Sequence, residues 1–256
     1  MITNLQVEWV GDELRARWQG GEDPTVFVSG SPDDAGTVIV PVETPGRLRI
    51  AGLPTGFRAY VHVLDLDGRW VVAGERLIRL GRTCNAVDLG GHATEDDRVT
   101  GWGRLFVGDP IDDLDPAGRE LLRGLGVATV CDLRREESIG RPTWLDPDVR
   151  WELPGVGEDD ASQLAEVAGF AADRASHAVY VHSGVGQDRA VVVAALLLSA
   201  VGVADADLPF FPTRPQVLAD LREQHGSIEA YLMSGAGLTG PAGLEALRQA
   251  LFDTGT

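Results

Sequence analysis

Residues 179–192 read VYVHSGVGQDRAVV. An apolar run ends at His182. Small residues follow at Ser183, Gly184 and Gly186, then an acid at Asp188 and a cation at Arg189, before a second apolar run. A strand that opens through a glycine loop into a buried helix turns backbone N–H groups and the positive end of a helix toward one point, which is anion-binding chemistry. Such a nest needs only small side chains, so Ser183, Gly184, Val185, Gly186, Gln187, Asp188 and Arg189 are the expected ligand-binding set. Arg189 can hold a phosphate, carboxylate or sulfate through two N–H groups at once. Ser183 offers a hydroxyl, either as a donor to a ligand or, with a base, as a nucleophile. It has no Gly-x-Ser-x-Gly setting, and the candidate base is His92, which follows the Gly90-Gly91 pair. Asp188 serves as a general acid or fixes the loop. Asp88 and His92 are expected to reach the same rim.

The elements that must position this loop are legible from periodicity. DPAGRELLRGLG has helical spacing and ends in Gly126, a stop signal. VATVCDLR reads as a buried strand, with Asp132 and Arg134 at its end bracing the loop, and AVYVH as another. ASQLAEVAGFAADRAS, AVVVAALLLSAVG, RPQVLADLREQHGSIEAYLMSG and GPAGLEALRQALF read as helices. Strands alternating with helices predict an α/β domain over residues 81–256 with a mainly parallel central sheet flanked by helices. Ligands in such sheets sit beyond the carboxyl ends of the strands. Residues 1–80 differ: short β-favouring runs such as ELRARW, TVFVSG, FRAYVHVLDL and WVVAGERLIRL alternate with turn clusters. They predict a small all-β sandwich in which Trp9, Trp18 and Tyr60 are core aromatics. Each unit is expected to have its own core, so that residues 82–256 fold without the sandwich. DPIDDLDPAG reads as a solvated acidic turn and helix cap.

The formal net charge is −17, and all 22 cationic side chains are Arg, since the chain contains no Lys. Phosphate neutralisation needs clustered bases, so neither nucleic acid nor an anionic membrane is the expected partner. The N-terminal residues do not read as a signal peptide, and the apolar run 190–204 is too short to span a bilayer. Cys84 and Cys131 lie in unrelated contexts and are expected as reduced thiols. His62, His177 and His225 show no metal-ligand spacing. A cytoplasmic protein without metal or cofactor is expected.

Four stretches carry a family resemblance: VDLGGHATEDDRVTGWGRLF, LLRGLGVATVCDLRREES, VHSGVGQDRAV and RPQVLADLREQHGSIEAYL. Together they resemble the bacterial tyrosine-phosphatase-like family, in the branch that also acts on phosphoserine and phosphoinositides, over roughly residues 82–252. The strand order of the first 80 residues, GLPTGFRAYVHV above all, resembles a fibronectin type III-like module. The resemblance implies a His-Cys-x5-Arg phosphate loop whose cysteine attacks phosphorus, whose arginine clamps the oxygens, and beside which an aspartic acid protonates the leaving group. It also implies that His182 supports the loop. The chain departs from that pattern at several places. Ser183 holds the nucleophile position, and a hydroxyl ionises far less readily than a thiol. Gln187 stands for a lysine, Ala190 and Val191 for Thr and Gly, Ala86 and Val87 for Phe and Arg, and Val107 and Gly108 in a stretch that usually reads Leu-Tyr-Arg-Ser. The helical lid is replaced by GVADADLPFFPTRPQ, in which Phe210 and Phe211 offer an apolar wall.

These departures lead to a tyrosine-phosphatase-like protein without phosphatase turnover, in which the old phosphate pocket binds an anionic or polar small molecule or a partner. One alternative is an enzyme repurposed for a small molecule of specialised metabolism, using Ser183, Asp188 and Arg189. Another is a Cys-to-Ser trap form of an active phosphatase. A protein partner could dock on the sandwich.

Overall fold

The structure, a computed structural model, describes residues 1–252 apart from 37, 43, 55, 83, 135–139, 155–159, 185–187, 209–214 and 235–237; at 160–165, 188 and 215 it describes the backbone alone. Strands β1 (Thr3–Val10), β2 (Glu13–Gln19) and β5 (Arg47–Ala51) make a three-stranded antiparallel sheet in the order β1-β2-β5. Strands β3 (Thr25–Ser29), β4 (Ile39–Val40), β6 (Tyr60–Leu64) and β7 (Trp70–Gly74) make a four-stranded antiparallel sheet in the order β4-β3-β6-β7. Alternation along each strand sends one set of side chains inward. On β2 these are Leu14, Ala16 and Trp18, and they share a core with Val26, Val61, Val63 and Ala73 of the other sheet. Trp18 and Tyr60 are buried as expected, while Trp9 is only partly covered.

The second unit is built on a six-stranded sheet in the order β12 (Arg150–Glu152), β11 (Thr129–Asp132), β13 (Val179–His182), β10 (Leu105–Gly108), β9 (Asn85–Asp88) and β8 (Leu77–Arg79). The first four are parallel to one another, and β9 and β8 add on antiparallel. Mixed α/β architecture with a mostly parallel sheet is therefore observed. Both faces are covered, so successive residues enter different cores. Phe106, Val130 and Tyr180 pack under α1 (Pro116–Gly124). Val107, Cys131, Val179 and Val181 pack against α2 (Asp160–Ala172), α3 (Asp188–Ala200), α4 (Pro215–His225), α5 (Ile228–Ser234) and α6 (Gly240–Leu251). Asp115 starts α1 by accepting a bond from Gly118 N–H at 2.8 Å. Among the described residues no helix is long and apolar enough to cross a membrane.

The run WVVAGERLIRL, assigned from sequence to the sandwich as a whole, holds two strands. Its second half, β8, pairs with β9 in the six-stranded sheet. Only Glu75 and Arg76 lie between the two sheets, and both are tied down. The Glu75 carboxylate accepts from Trp9 N–H at 3.1 Å, and an Arg76 N–H donates to the Asp88 carbonyl at 2.9 Å. The separately built cores expected from sequence also share a residue. Trp102, from the loop between β9 and β10, is 6% exposed and sits in the sandwich core. The glycine pair makes that approach possible. A Cβ at Gly90 would stand 2.4 Å from Trp102 Cα, and at Gly91, whose φ is +74°, one would stand 2.5 Å from the indole ring.

Candidate functional site

Gly108, Asp132 and His182 stand side by side in register across β10, β13 and β11. The carboxyl ends of these strands thus finish level, and the loop leaves from the middle one toward α3. Ser183 is 4% exposed, and its hydroxyl has no hydrogen-bond partner among the described residues. His182 is fully buried and neither ring nitrogen is bonded among the described residues. Its Nδ1 lies 3.7 Å from an Asp132 carboxylate oxygen, and the Trp151 and Tyr180 rings flank it at 5.6 and 6.0 Å. Burial lowers the His182 pKa to about 4, against the pull of Asp132 and with a push from Arg134. The imidazole is neutral at pH 7 and brings one unused donor and one unused acceptor to the loop's root. The His182 carbonyl accepts from Leu133 N–H at 2.8 Å, which ties the root of the loop to the end of β11. Val185, Gly186, Gln187 and the Asp188 side chain lie outside the described residues, as do Phe210 and Phe211.

Two arginines frame the site. Arg189, at the start of α3, donates to the Leu133 carbonyl at 3.0 Å and so ties the helix to the end of β11. Arg134 bonds Asp132 through Nε and a terminal N–H at 2.9 and 2.7 Å, and grips Asp112 through both terminal nitrogens at 2.7 and 3.1 Å. Burial works against the Arg134 charge, but the two carboxylates outweigh it and raise its pKa above the usual arginine value. Arg134 thus ties the end of β11 to Asp112, while residues 185–187 of the loop that it and Asp132 were expected to brace lie outside the described residues. Asp112 corrects the reading of its segment as a solvated turn, because its carboxylate completes the bracket.

Asp88 and His92 do not join this site. Strand β9 runs antiparallel to β10: Ala86 stands beside Gly108, but Asp88 stands beside Phe106, two residues back from the carboxyl end. The chain beyond Asp88 therefore moves away from the loop. Glu95 N–H reaches the carbonyl of Gly202, just past the far end of α3. Asp88 is fully buried, and its oxygens are engaged by Arg58 at 2.9 Å, Gly90 N–H at 3.0 Å and Gly103 N–H at 3.1 Å. It ties the two units together through Arg58. His92 Nε2 lies 2.7 Å from an Arg76 nitrogen. A guanidinium only donates, so Nε2 is the acceptor and the ring proton is on Nδ1. Burial, with Arg76 adding to it, lowers the His92 pKa to about 4. This placement sets His92 beside Arg76 and toward the far end of α3 rather than beside Ser183.

The sequence departures also find physical reasons. A Cβ at Gly108 would stand 2.3 Å from the Tyr180 hydroxyl and 2.4 Å from the Asn85 carbonyl, so only glycine fits. Val107 is buried in the helix-covered core, where burying a cation without a partner would be costly. The two cysteines are free and buried. Burial, with Asp109 next, raises the Cys84 pKa to about 12, and burial raises that of Cys131 further, so neither supplies a thiolate. Among the described residues no group of three or more His, Cys, Asp or Glu could hold a metal ion.

Residues 78–158 match the tyrosine phosphatase family. The matched segment runs from β8 through β12 and includes Asp88, Gly90, Gly91, Asp132 and Arg134. It ends ahead of β13 and the Ser183 loop. No curated protein matches the chain.

Proposed function

We propose that this is a tyrosine-phosphatase-like protein that binds a small anionic or polar ligand at the Ser183 loop without phosphoryl transfer. The observation that carries the reading is the serine itself. At the point where the family's loop has its cysteine, the chain presents a buried hydroxyl, unpartnered among the described residues, next to a buried neutral imidazole. These are hydrogen-bonding groups waiting for a polar partner. The described side chains around them supply two arginines and two carboxylates, Arg134 and Arg189 with Asp112 and Asp132, which nearly cancel. Such a balance favours a monoanion or a neutral polar molecule over a phosphate dianion. A repurposed enzyme that uses Ser183 as nucleophile is the weaker reading, because His92, the base first considered for it, sits beyond the antiparallel strand β9 and not beside the serine. A three-stranded sheet facing a four-stranded one supports the fibronectin type III-like reading of the first unit, and two free buried thiols support a cytoplasmic setting.

Ser183→Cys tests the reading. The sulfur would regain the helix N-terminus, but in a site where Arg134 is already neutralised. Each missing charged contact to a dianion and its transition state is worth a few kcal/mol, and each 1.36 kcal/mol is about tenfold in rate. Hydrolysis of an aryl phosphate by Ser183→Cys is expected to stay several orders of magnitude below that of an active phosphatase. Robust turnover that disappears in Ser183→Cys/Arg189→Ala would overturn the proposal and identify the chain as a phosphatase missing only its nucleophile.

A further inference from the structure

The outer face of the three-stranded sheet carries an arrangement that the loop site does not use. Arg15 and Arg17 project outward from β2, and Arg47 and Arg49 from β5. The register sets Arg15 directly opposite Arg49 and Arg17 directly opposite Arg47. Facing like charges on antiparallel strands are destabilising, so two such pairs side by side are unfavourable in the isolated sheet. Neighbours relieve only part of it. Glu13 takes Arg15 at 2.9 Å, Glu8 stands opposite Arg15 on β1 and lines the same groove, and the neutral Gln6 side chain takes Arg17 at 2.8 Å, so the four arginines still outnumber the two carboxylates. Arg47 and Arg49 are exposed and make no hydrogen bond or ion pair among the described residues. In a chain of net charge −17, this is a local reversal of sign. The four arginines line a groove of about 810 Å³ that continues past Val71 and Val72 to Arg76 and Trp102 at the junction of the two units.

We infer that this groove binds an extended acidic peptide segment of a partner protein. The spacing makes the argument. Arginines two apart on one strand repeat at about 6.8 Å, and facing strands set them about 5 Å apart. Carboxylates on alternate residues of an extended peptide repeat at the same 6.8 Å. Such a peptide places one acid between each facing pair, so that each carboxylate meets two planar guanidinium groups. Its remaining side chains face solvent, and the continuation of the groove past Val71 and Val72 gives the segment a path toward the junction of the two units. A nucleic acid meets the same four cations, but its continuous charge is repelled by the rest of the acidic surface.

The experiment uses the full chain and a fluorescent peptide with glutamate at alternate positions, read by anisotropy at about 50 mM salt. Its controls are a peptide of the same composition with the glutamates in one block, a single-stranded oligonucleotide, and the Arg47→Glu/Arg49→Glu protein. Both substituted residues are exposed, and because the change turns two facing like-charge pairs into opposite-charge pairs, a melting temperature at or above that of the parent chain verifies the variant's fold. Saturable binding of the alternating peptide is expected, at least about tenfold weaker for the block isomer and for the variant, since each 1.4 kcal/mol is tenfold. A peptide with arginine in place of glutamate should bind the variant and not the parent chain. Equal affinity for both peptide isomers, binding unaffected by the double substitution, no binding at all, or tighter binding of the oligonucleotide would each overturn the inference.

Discussion

Arg58→Met tests the bond between the two units most directly. Arg58 is 5% exposed and reaches from the sandwich to Asp88, which is fully buried. It also donates to the Glu75 carbonyl at 2.5 Å and lies over the Tyr60 ring at 4.9 Å. Methionine keeps much of the stem volume and removes the charge. Burial already holds the Asp88 carboxyl above the usual carboxylate range, with Arg58 pulling it down. Removing one partner of a buried pair leaves the other charge uncompensated, which costs about 3–5 kcal/mol. With a urea dependence of about 2 kcal/mol per molar, the midpoint should fall by about 2 M. Tryptophan fluorescence reads the transition, because Trp18 and Trp102 lie in the affected core. Arg58→Met/Asp88→Asn should recover most of the loss, since the amide oxygen can still accept from Gly90 and Gly103 while the buried charge is gone. The deficit of the single variant should also shrink as pH falls. In that variant Asp88 titrates above its unfolded value, so acidification neutralises the orphaned group in the native state first. A midpoint shift under about 0.5 M, or a double variant less stable than the single, would refute the reasoning.

Other outcomes follow from the same geometry. Residues 82–256 expressed alone should melt without cooperativity or precipitate, because Asp88 loses Arg58 and Trp102 loses its core; a soluble, cooperatively folding fragment would show the junction to be dispensable. Sulfate at one hundred times its dissociation constant should stabilise the chain by about 2.7 kcal/mol, and the thermal shift should vanish in Arg189→Ala; equal shifts in both proteins would place the anion elsewhere. His182 is neutral in the fold down to about pH 4, whereas its unfolded form protonates near 6.5. Between these values the unfolded state binds more protons, so stability should fall by up to about 3 kcal/mol as pH drops from 6.5 to 4. His182→Phe should reduce that slope in urea titrations by its own share, leaving the part that His92 contributes over the same window, and an unchanged slope would exclude a contribution from His182.

The loop between β13 and α3 was legible because its signals are local: an apolar run, small residues, then a helix. The bracing of Arg134 by Asp132 was legible for the same reason, since both sit at the end of one strand. Asp88 and His92 were misplaced because what moves them is strand direction. A four-residue strand reads alike parallel or antiparallel, and here the antiparallel sense of β9 sends the glycine pair away from the loop. Asp112 hid in an acidic turn whose composition suits solvent, while its partner comes from a strand end 22 residues on. Arg58 carried no mark at all: nothing local separates a buried cation from an exposed one when its counter-ion lies 30 residues away. The boundary between units blurred at WVVAGERLIRL because both sheets accept the same β-favouring residues.

The two-residue passage from β7 to β8 bears on how such a gene can be inherited. A module strung on a loose tether can be lost, duplicated or exchanged without consequence for its neighbour. This one cannot: a recombination point placed where the strand patterns change would separate a carboxylate from its counter-ion and an indole from its socket. Descendants that shed the sandwich must find another cation for Asp88 or give up the acid, and must replace Trp102 with something water tolerates. The two halves are therefore expected to travel as one heritable unit, and Arg58, Asp88 and Trp102 to change together or not at all.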